Sequence, residues 1–182
     1  PFLEKELVTG QRTITKLINA SRFVFMNLND YKGEKPKKLE TMDKWLLVKM
    51  NKLIEVCNES FDNYEYSKVK ANTEVFFWHT FCDNYLEIVK DRLYNPDRRG
   101  TESRKSAQYV LHVCLLNIIK LFAPIMPFIT EELYQEYYKD GEKSVHLLTW
   151  PEIDKKLRDK NLEELGDKAV EVVNLVRKDL NF

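Results

Sequence analysis

The stretch VFFWHTFCDNYLEIV, residues 75–89, is the most informative part of the sequence for the architecture of this chain. Its bulky apolar residues recur at spacings of three and four, which predicts an α-helix. The side chains of Val75 to Trp78, Phe81, Tyr85 and Val89 cover more than one face of that helix. A helix that is apolar on more than one side needs neighbours on more than one side. The stretch is therefore expected at the centre of a bundle of helices.

The few glycines and prolines divide the chain into predicted helices. There are five glycines and six prolines, and because both residue types interrupt helices, the intervals between them are the elements. Apolar residues recur at three and four within each interval, which predicts an all-α fold, an antiparallel bundle of five to six helices with short connections. The predicted helices cover residues about 3–28, 39–61, 67–94, 103–122, 128–139 and 163–180.

Two further features complete the predicted layout. Apolar and polar residues alternate over residues 144–150, which predicts one short extended segment lying across the bundle. Asp140 and Gly141 are expected to end the fifth helix. The fourth predicted helix is a second central element, because a continuous apolar stripe runs along it. The stripe consists of Ala107, Val110, Leu111, Cys114, Leu115, Ile118, Ile119 and Phe122.

Composition excludes several classes of protein. The 182 residues include 29 basic and 29 acidic side chains with 43% hydrophobic residues, which excludes a disordered or polybasic tail. The apolar runs are too short for a membrane span, and no signal peptide is recognisable. Cys57, Cys82 and Cys114 are an odd, widely spaced set, which is typical of reduced thiols in a cytoplasmic protein.

Charge is distributed unevenly along the chain. Residues 1–120 carry 20 basic and 16 acidic side chains, whereas residues 121–182 carry 9 and 13. A surface that binds a polyanion is therefore expected in the first part, above all in the lysine-rich segment 32–38.

Catalytic and metal sites find little support in the sequence. His79, Cys82 and Asp83 are spaced to meet on one side of a helix, but no second pair of ligands accompanies them. There is no glycine-rich phosphate loop, and no set of nucleophile and base is recognisable. We therefore predict no catalytic residue and no metal site in this chain.

The first predicted helix has an unusual outward face. Its core-facing side holds Leu17, Ser21 and Val24, placed within one arc by the helical period. On the opposite side, Phe23 and Met26 lie among cationic and amide side chains, where core packing does not require them. Cations for phosphate, an amide for base edges and an aromatic ring for stacking are what single-stranded RNA recognition uses. A covering helix or domain would also explain the pattern.

Four segments of the sequence carry a resemblance to a known family. They are KLINASRFVFMNL (residues 16–28), FFWHTFCDNYLEIVKDRLY (76–94), FAPIMPFITEELYQ (122–135) and SVHLLTWPE (144–152). In this order they resemble the first helix, the third helix, the proline-containing junction and the Trp-Pro segment of the anticodon-binding domain of valyl-tRNA synthetase. Members of that family are class I aminoacyl-tRNA synthetases. After Glu152 the resemblance fades, so residues 1–152 are assigned to the anticodon-binding bundle. Residues 153–182 are assigned to a C-terminal helix that packs on the bundle and leads toward a further module.

The resemblance implies a set of site residues. In that family the first helix and the loop after it contact the second and third bases of the valine anticodon. Carried over by position, the anticodon-binding residues are Arg12, Lys16, Asn19, Arg22, Phe23 and Tyr31. Phe23 or Tyr31 would stack on a base, and Asn19 would read a base edge. Lys35, Lys37 and Lys38 would contact the phosphate backbone.

The resemblance also implies partners and cofactors. The chain would be a fragment that binds the anticodon stem-loop of tRNA(Val), and its other partner would be the catalytic domain of the same parent chain. The parent would ligate valine to this tRNA with ATP and Mg, acting as a monomer without membrane contact, while the fragment itself would need no cofactor. The class I signature His-x-Gly-His is absent from the sequence. The run from Lys49 to Lys52 resembles the Lys-Met-Ser-Lys-Ser loop only poorly, and it lies at a different position from that loop. The fragment alone is therefore expected to be noncatalytic.

Two alternatives remain open at this point. Residues 85–94 also resemble the isoleucine enzyme, so the chain could be the equivalent domain of isoleucyl-tRNA synthetase. It could instead be a helical protein-interaction bundle without RNA binding, with Phe23 and Met26 buried against a partner.

Overall fold

A computed structural model describes residues 4–138 and 143–180 of the chain. Within these residues all regular secondary structure is helical, which confirms the predicted all-α bundle. The helices are α1 (Glu4–Met26), α2 (Thr41–Asp62), α3 (Tyr66–Val75), a π-helical segment (Phe76–Leu86), α4 (Glu87–Tyr94), α5 (Pro96–Arg99), α6 (Thr101–Phe122), α7 (Pro127–Tyr137), two 3₁₀ turns (Val145–Leu147 and Lys155–Leu157) and α8 (Lys160–Asp179). None of the described helices is long and apolar enough to cross a membrane.

The centre of the long third helix is a π-helix, where a regular α-helix was expected. Apolar spacing predicted one α-helix over 67–94, but α3 and α4 are joined by eleven residues with π-helical hydrogen bonding. The rings of Phe77, Phe81 and Tyr85 follow one another at four-residue intervals, each 6.5 Å from the next and nearly parallel. All three side chains are fully buried, so this row of rings lies in the core.

The segment between α7 and α8 differs from its prediction. Residues 144–150 were expected to be extended, but Val145–Leu147 form a 3₁₀ turn. The Ser144 hydroxyl accepts a hydrogen bond from the His146 amide, and the Glu131 carboxylate accepts one from the Val145 amide. These polar contacts favour a tight turn over an extended backbone. The predicted helix end at Asp140 and Gly141 lies outside the described residues.

The core is built by α2, the π-helical segment and α6. The predicted stripe on α6 is confirmed, since all eight of its side chains are buried. α1 packs against α6 and α7 with Leu17 and Val24 fully buried. The hydroxyl of Thr13 donates to Glu74 at 3.3 Å and accepts from Trp78 Nε1 at 3.4 Å, which fastens α1 to the third helix.

A buried ionic cluster joins α2, the third helix and α6. Asp43 is fully buried, and its carboxylate accepts hydrogen bonds from Tyr85 at 2.7 Å, from both terminal nitrogens of Arg92, and from Ser106. Arg92 also pairs with Glu40 at 2.5 Å. Burial raises the pKa of Tyr85 well above its ordinary value, so its hydroxyl keeps its proton. Because a buried charge is costly without partners, this cluster fixes how the three elements meet.

α8 lies against α2. Gly166 sits directly over Trp45, whose indole Nε1 donates to Asp167 at 2.9 Å. Glu163 accepts hydrogen bonds from Lys52 at 2.8 Å and from Lys49 at 3.4 Å. The outer face of α8 is apolar and exposed, and it includes Leu165, Val172, Leu175 and Val176, with Leu180 directly after the helix.

Candidate functional site

The outward face of α1 forms one wall of a groove of about 810 Å³. The opposite wall belongs to the π-helical segment and α4. Four of the six anticodon-binding residues predicted from the sequence line this groove, namely Arg12, Lys16, Asn19 and Phe23. The facing wall presents Trp78, Cys82, Leu86 and Lys90, together with Asp83 and Glu87. The structure thus brings together cations, an amide and aromatic rings along one concave surface.

Lys16 reaches across the groove to the facing wall. Its Nζ lies 2.8 Å from Asp83 Oδ1 and 4.0 Å from the centre of the Trp78 ring. An ammonium group over an indole face gains a cation–π attraction in addition to the ion pair. Lys16 is therefore held at two points and does not extend freely into solvent.

Arg12 and Asn19 remain available for a ligand. Both side chains are exposed, and neither has a hydrogen bond or ion pair within the described part of the chain. An unpaired guanidinium and an unpaired amide can satisfy phosphate oxygens or base edges without first breaking an internal contact.

Phe23 forms the apolar part of the groove near the end of α1. Its ring is half-buried and meets the Tyr94 ring edge to face at 6.4 Å. Lys90 Nζ lies 6.0 Å from the centre of the Phe23 ring and pairs with Glu87 at 2.6 Å. A fixed, partly open ring with a cation beside it has the composition of a stacking site for a base.

Arg22 and Tyr31 lie outside the groove. Arg22 is exposed on the side of α1 that faces α7, where it interacts with Tyr137, whose ring stacks on Phe25 at 3.8 Å. Burial and the neighbouring Glu136 raise the pKa of Tyr137, and Arg22 opposes this shift. A contact of Arg22 or Tyr31 with a ligand stays a prediction.

Tyr31 packs against α6 in place of facing the groove. Its ring is half-buried, 5.4 Å from the His112 ring, and its hydroxyl donates to the Glu34 carbonyl at 3.4 Å. Partial burial raises the pKa of Tyr31, as do the nearby Tyr109 and Glu34. One part of the ring is thus covered by the protein itself.

The lysine-rich loop is anchored at its base and exposed at its tip. Gln108 on α6 donates to the Asn27 carbonyl and to Asp30, both at 2.8 Å, and Arg104 pairs with Asp30 at 2.9 Å. Lys35, Lys37 and Lys38 are exposed, with Lys35 Nζ 5.9 Å from the Tyr109 ring centre. These three lysines are placed where a phosphate backbone could approach them.

The second basic segment, residues 98–105, is largely neutralised by its neighbours. Arg98 and Arg99 both pair with Asp91, and hydrogen bonds from Arg99 first and Asn95 next lower the pKa of that carboxyl to about 2. Lys105 pairs with Glu102 at 2.8 Å. This segment therefore offers less free positive charge than its sequence indicates.

The possible metal ligands and the thiols are dispersed among the described residues. No group of three or more possible ligands lies together there. His79 Nδ1 instead lies 3.1 Å from Asp83 Oδ2. Burial raises the pKa of the Cys82 thiol to about 12 and also raises that of Cys57. A thiol in that state is a poor nucleophile and a poor ligand at neutral pH.

Sequence reasoning missed the facing wall of the groove. Trp78, Asp83 and Lys90 were not among the predicted site residues, although all three line it. The signal that could have found them is the four-residue spacing from Trp78 through Cys82 and Leu86 to Lys90, which marks one side of a helix. Periodicity alone does not show which side of the third helix α1 leaves uncovered.

Comparisons with known proteins give matches over most of the chain. Residues 43–181 match the family model described as the anticodon-binding domain of tRNA ligase. The chain is 40% identical to the valine–tRNA ligase of Wolbachia sp. subsp. Brugia malayi over 97% of this chain and 21% of that protein. It is 38% identical to the valine–tRNA ligase of Pyrococcus furiosus, over 98% of this chain and 20% of that protein. It is 41% identical to that of Ehrlichia ruminantium, over 97% and 22%.

The chain spans about a fifth of the length of these relatives. The family match begins at residue 43, after α1, whereas the similarity to the relatives covers nearly the whole chain. These relatives are valine enzymes, which favours the valine enzyme over the isoleucine enzyme and over an interaction bundle. The predicted resemblance is confirmed, and the chain belongs to the family of anticodon-binding domains of tRNA ligases.

Proposed function

We propose that this chain binds the anticodon stem-loop of tRNA(Val), with the second and third anticodon bases in the groove between α1 and the facing third helix. The observation that carries the proposal is the convergence of Arg12, Lys16, Asn19 and Phe23 on one groove, because the same four residues follow independently from the outward face of α1. An RNA loop presents unstacked bases and phosphates together, and such a groove can accommodate both.

Each residue has a separate role in this proposal. Phe23 stacks on a base, and Asn19 donates to and accepts from a base edge. Arg12 pairs with a phosphate or with the acceptor atoms of a base edge, whereas Lys16 donates from α1 across the groove, beside Asp83 and Trp78. Arg22 and Tyr31 contact the loop from beside the groove.

The exposed lysines after α1 extend the surface. Lys35, Lys37 and Lys38 supply salt-sensitive attraction to the phosphate backbone. This attraction is independent of sequence, so it strengthens binding without selecting the anticodon.

The parent enzyme would use this binding for aminoacylation. A valine–tRNA ligase that contains this domain would attach valine to the bound tRNA with ATP and Mg in its catalytic domain, in the cytoplasm. The domain's own share is binding and positioning of the anticodon arm. The three cysteines, buried as free thiols, are compatible with a reducing compartment.

The test compares two tRNAs that differ only in the second and third anticodon bases. Equilibrium binding of the chain is measured at low and moderate salt, with Phe23→Ala and Tyr31→Ala as variants. Loss of a stacking ring costs about 1–3 kcal/mol, or on the order of 5- to 150-fold in affinity. Phe23→Ala is therefore expected to weaken the binding of the valine-anticodon tRNA by that factor.

The matched control is Phe128→Ala on α7, since Phe128 is 89% exposed and does not line the groove. It is expected to leave both affinities unchanged. Equal, salt-sensitive binding of the two tRNAs by the unaltered chain would contradict the assignment of base-reading residues. A folded chain that binds neither tRNA would support the interaction-bundle alternative.

A further inference from the structure

The ion pair between Lys16 and Asp83 joins the two walls of the groove, and RNA binding by simple charge attraction does not explain it. A cation intended for phosphate would be expected to stand free, as Arg12 does. Lys16 instead has only 27% of its side chain exposed, with Nζ 2.8 Å from Asp83 Oδ1. The Trp78 ring, 4.0 Å away, holds the same ammonium from a second direction.

Asp83 is itself fixed in place. Its second carboxylate oxygen lies 3.1 Å from His79 Nδ1, and its backbone carbonyl accepts a hydrogen bond from Arg177 of α8 at 3.1 Å. The next residue, Asn84, donates its side-chain amide to the His79 carbonyl at 2.7 Å, which braces the π-helical backbone at this point. The Asp83 backbone is therefore tied to α8, and its carboxylate lies between His79 and Lys16.

A fixed carboxylate at this point discriminates between two kinds of RNA group. A phosphate that approached Lys16 would also approach Asp83, and the repulsion between like charges opposes that contact. A base edge is neutral and bears both donors and acceptors, so it can accept from the ammonium and donate to the carboxylate together.

We propose that Asp83 is a positioning residue that reserves Lys16 for a base edge and keeps the phosphate backbone out of this part of the groove. The inference rests on the proposed function and deepens it. Anticodon selectivity then comes from the paired Lys16 and Asp83, whereas backbone attraction comes from the exposed lysines at 35, 37 and 38.

The test removes the charge of Asp83 and keeps its shape, with Asp83→Asn. Binding of the valine-anticodon tRNA and of the tRNA with changed second and third bases is measured over a series of salt concentrations. Lys16, once released, is expected to bind phosphate, so the changed tRNA binds more tightly and the affinity ratio falls several-fold. One added phosphate contact steepens the slope of log K against log salt by about 0.7 for a single strand.

The matched control is Glu55→Gln on α2, because Glu55 also pairs with a cation, Arg158 at 2.6 Å, but does not line the groove. It is expected to keep the affinity ratio of the unaltered chain. An equal fall of the ratio in both variants would show a general effect of net charge and would overturn the proposal. Circular dichroism checks that each variant is folded.

A double variant tests whether Asp83 acts through Lys16. In a Lys16→Gln background, Asp83→Asn is expected to change neither the ratio nor the slope. If the unaltered chain binds the two tRNAs with different affinities, but Asp83→Asn changes neither the affinity ratio nor the salt dependence, this inference alone fails. If the unaltered chain binds both tRNAs equally, the proposed function fails as well.

Discussion

Asp43 is the residue at which most of the buried polar contacts of the molecule meet. It accepts from Tyr85, Arg92 and Ser106, which belong to three different elements. Removing one member of a buried ion pair leaves the other charge without compensation, which costs about 3–5 kcal/mol. We therefore expect Asp43→Asn to lower the free energy of unfolding by about that amount, measured by urea denaturation.

The control on the same helix is Asp62→Asn. Asp62 is exposed at the end of α2, and exposed substitutions of this kind usually change stability by less than about 0.5 kcal/mol. Equal losses in the two variants would contradict the structural role of Asp43.

Among the residues of the groove, those of the α1 wall could be predicted from the sequence and those of the facing wall could not. Arg12, Lys16, Asn19 and Phe23 could be found because a helix that packs on one side must expose the opposite side. Tyr31 follows the helix in a loop, and no local pattern indicates that it packs on His112. Asp43 could not be singled out either, since its partners lie 42 to 63 positions away.

Among the elements, α8 depends on a glycine for its contact with the bundle. A Cβ atom at Gly166 would lie 2.1 Å from Trp45 Cδ1 and 2.4 Å from Cγ, inside the indole ring's contact distance. We expect Gly166→Ala to destabilise the fold by about 1–3 kcal/mol, the usual cost of overpacking. Urea denaturation followed by tryptophan fluorescence measures it, because Trp45 reports on this contact.

Gly10→Ala provides a control with the opposite sign. Gly10 lies inside α1, and nothing lies within 4 Å of the position that a Cβ atom would take, so alanine gains helix propensity without a clash. An increase in stability of about 0.5–1 kcal/mol is expected. Destabilisation of similar size in both variants would mean that close contact with Trp45 is not the cause.

The helix boundaries were predicted more closely than the helix geometry. Prolines and glycines placed the start of α2 and both ends of α6 within about two residues, because those residues act locally. Gly166 is an exception to this rule, since it lies inside the predicted helix 163–180 and inside α8, where the absence of a side chain admits Trp45. The π-helical segment was missed because spacings of three and four do not separate an α-helix from a π-helix.

For the whole molecule, acid is expected to act in two stages. Burial lowers the pKa of His112 below 6.5. Just below pH 6.5 the unfolded chain therefore binds a proton at His112, whereas the folded chain keeps this side chain neutral. Stability therefore falls as pH drops below about 6.5. The hydrogen bond from Lys52 lowers the pKa of Glu163 below 4.5, so the stability that this carboxylate contributes is lost as pH falls further.

The midpoint of urea unfolding, measured from pH 7 to pH 4, checks this expectation. His112→Gln should remove the first stage and keep the second, whereas Glu163→Gln should weaken only the second. A midpoint that stays constant between pH 7 and pH 5.5 in the unaltered chain would contradict the assignment to His112.

The composition of the whole molecule predicts only in part which basic side chains are open to a ligand. The excess of basic residues before residue 121 indicated a surface for a polyanion. Ion pairs then neutralise Arg98, Arg99 and Arg104, and only the folded chain reveals which cations remain open. The exposed lysines after α1 and the unpaired Arg12 are among the cations that stay open to a ligand in the described residues.

The attachment of α1 has a consequence for the order of folding. Its hydrogen bonds to the rest of the bundle join positions far apart in the chain: Thr13 with Glu74 over 61 residues, Lys16 with Asp83 over 67, and Asn27 with Gln108 over 81. Closing loops of this length costs entropy before any contact repays it. Since α1 precedes these partners in the chain, it has to wait for α6 before it can dock. The groove, which needs α1 in place, therefore exists only after α6 has been made.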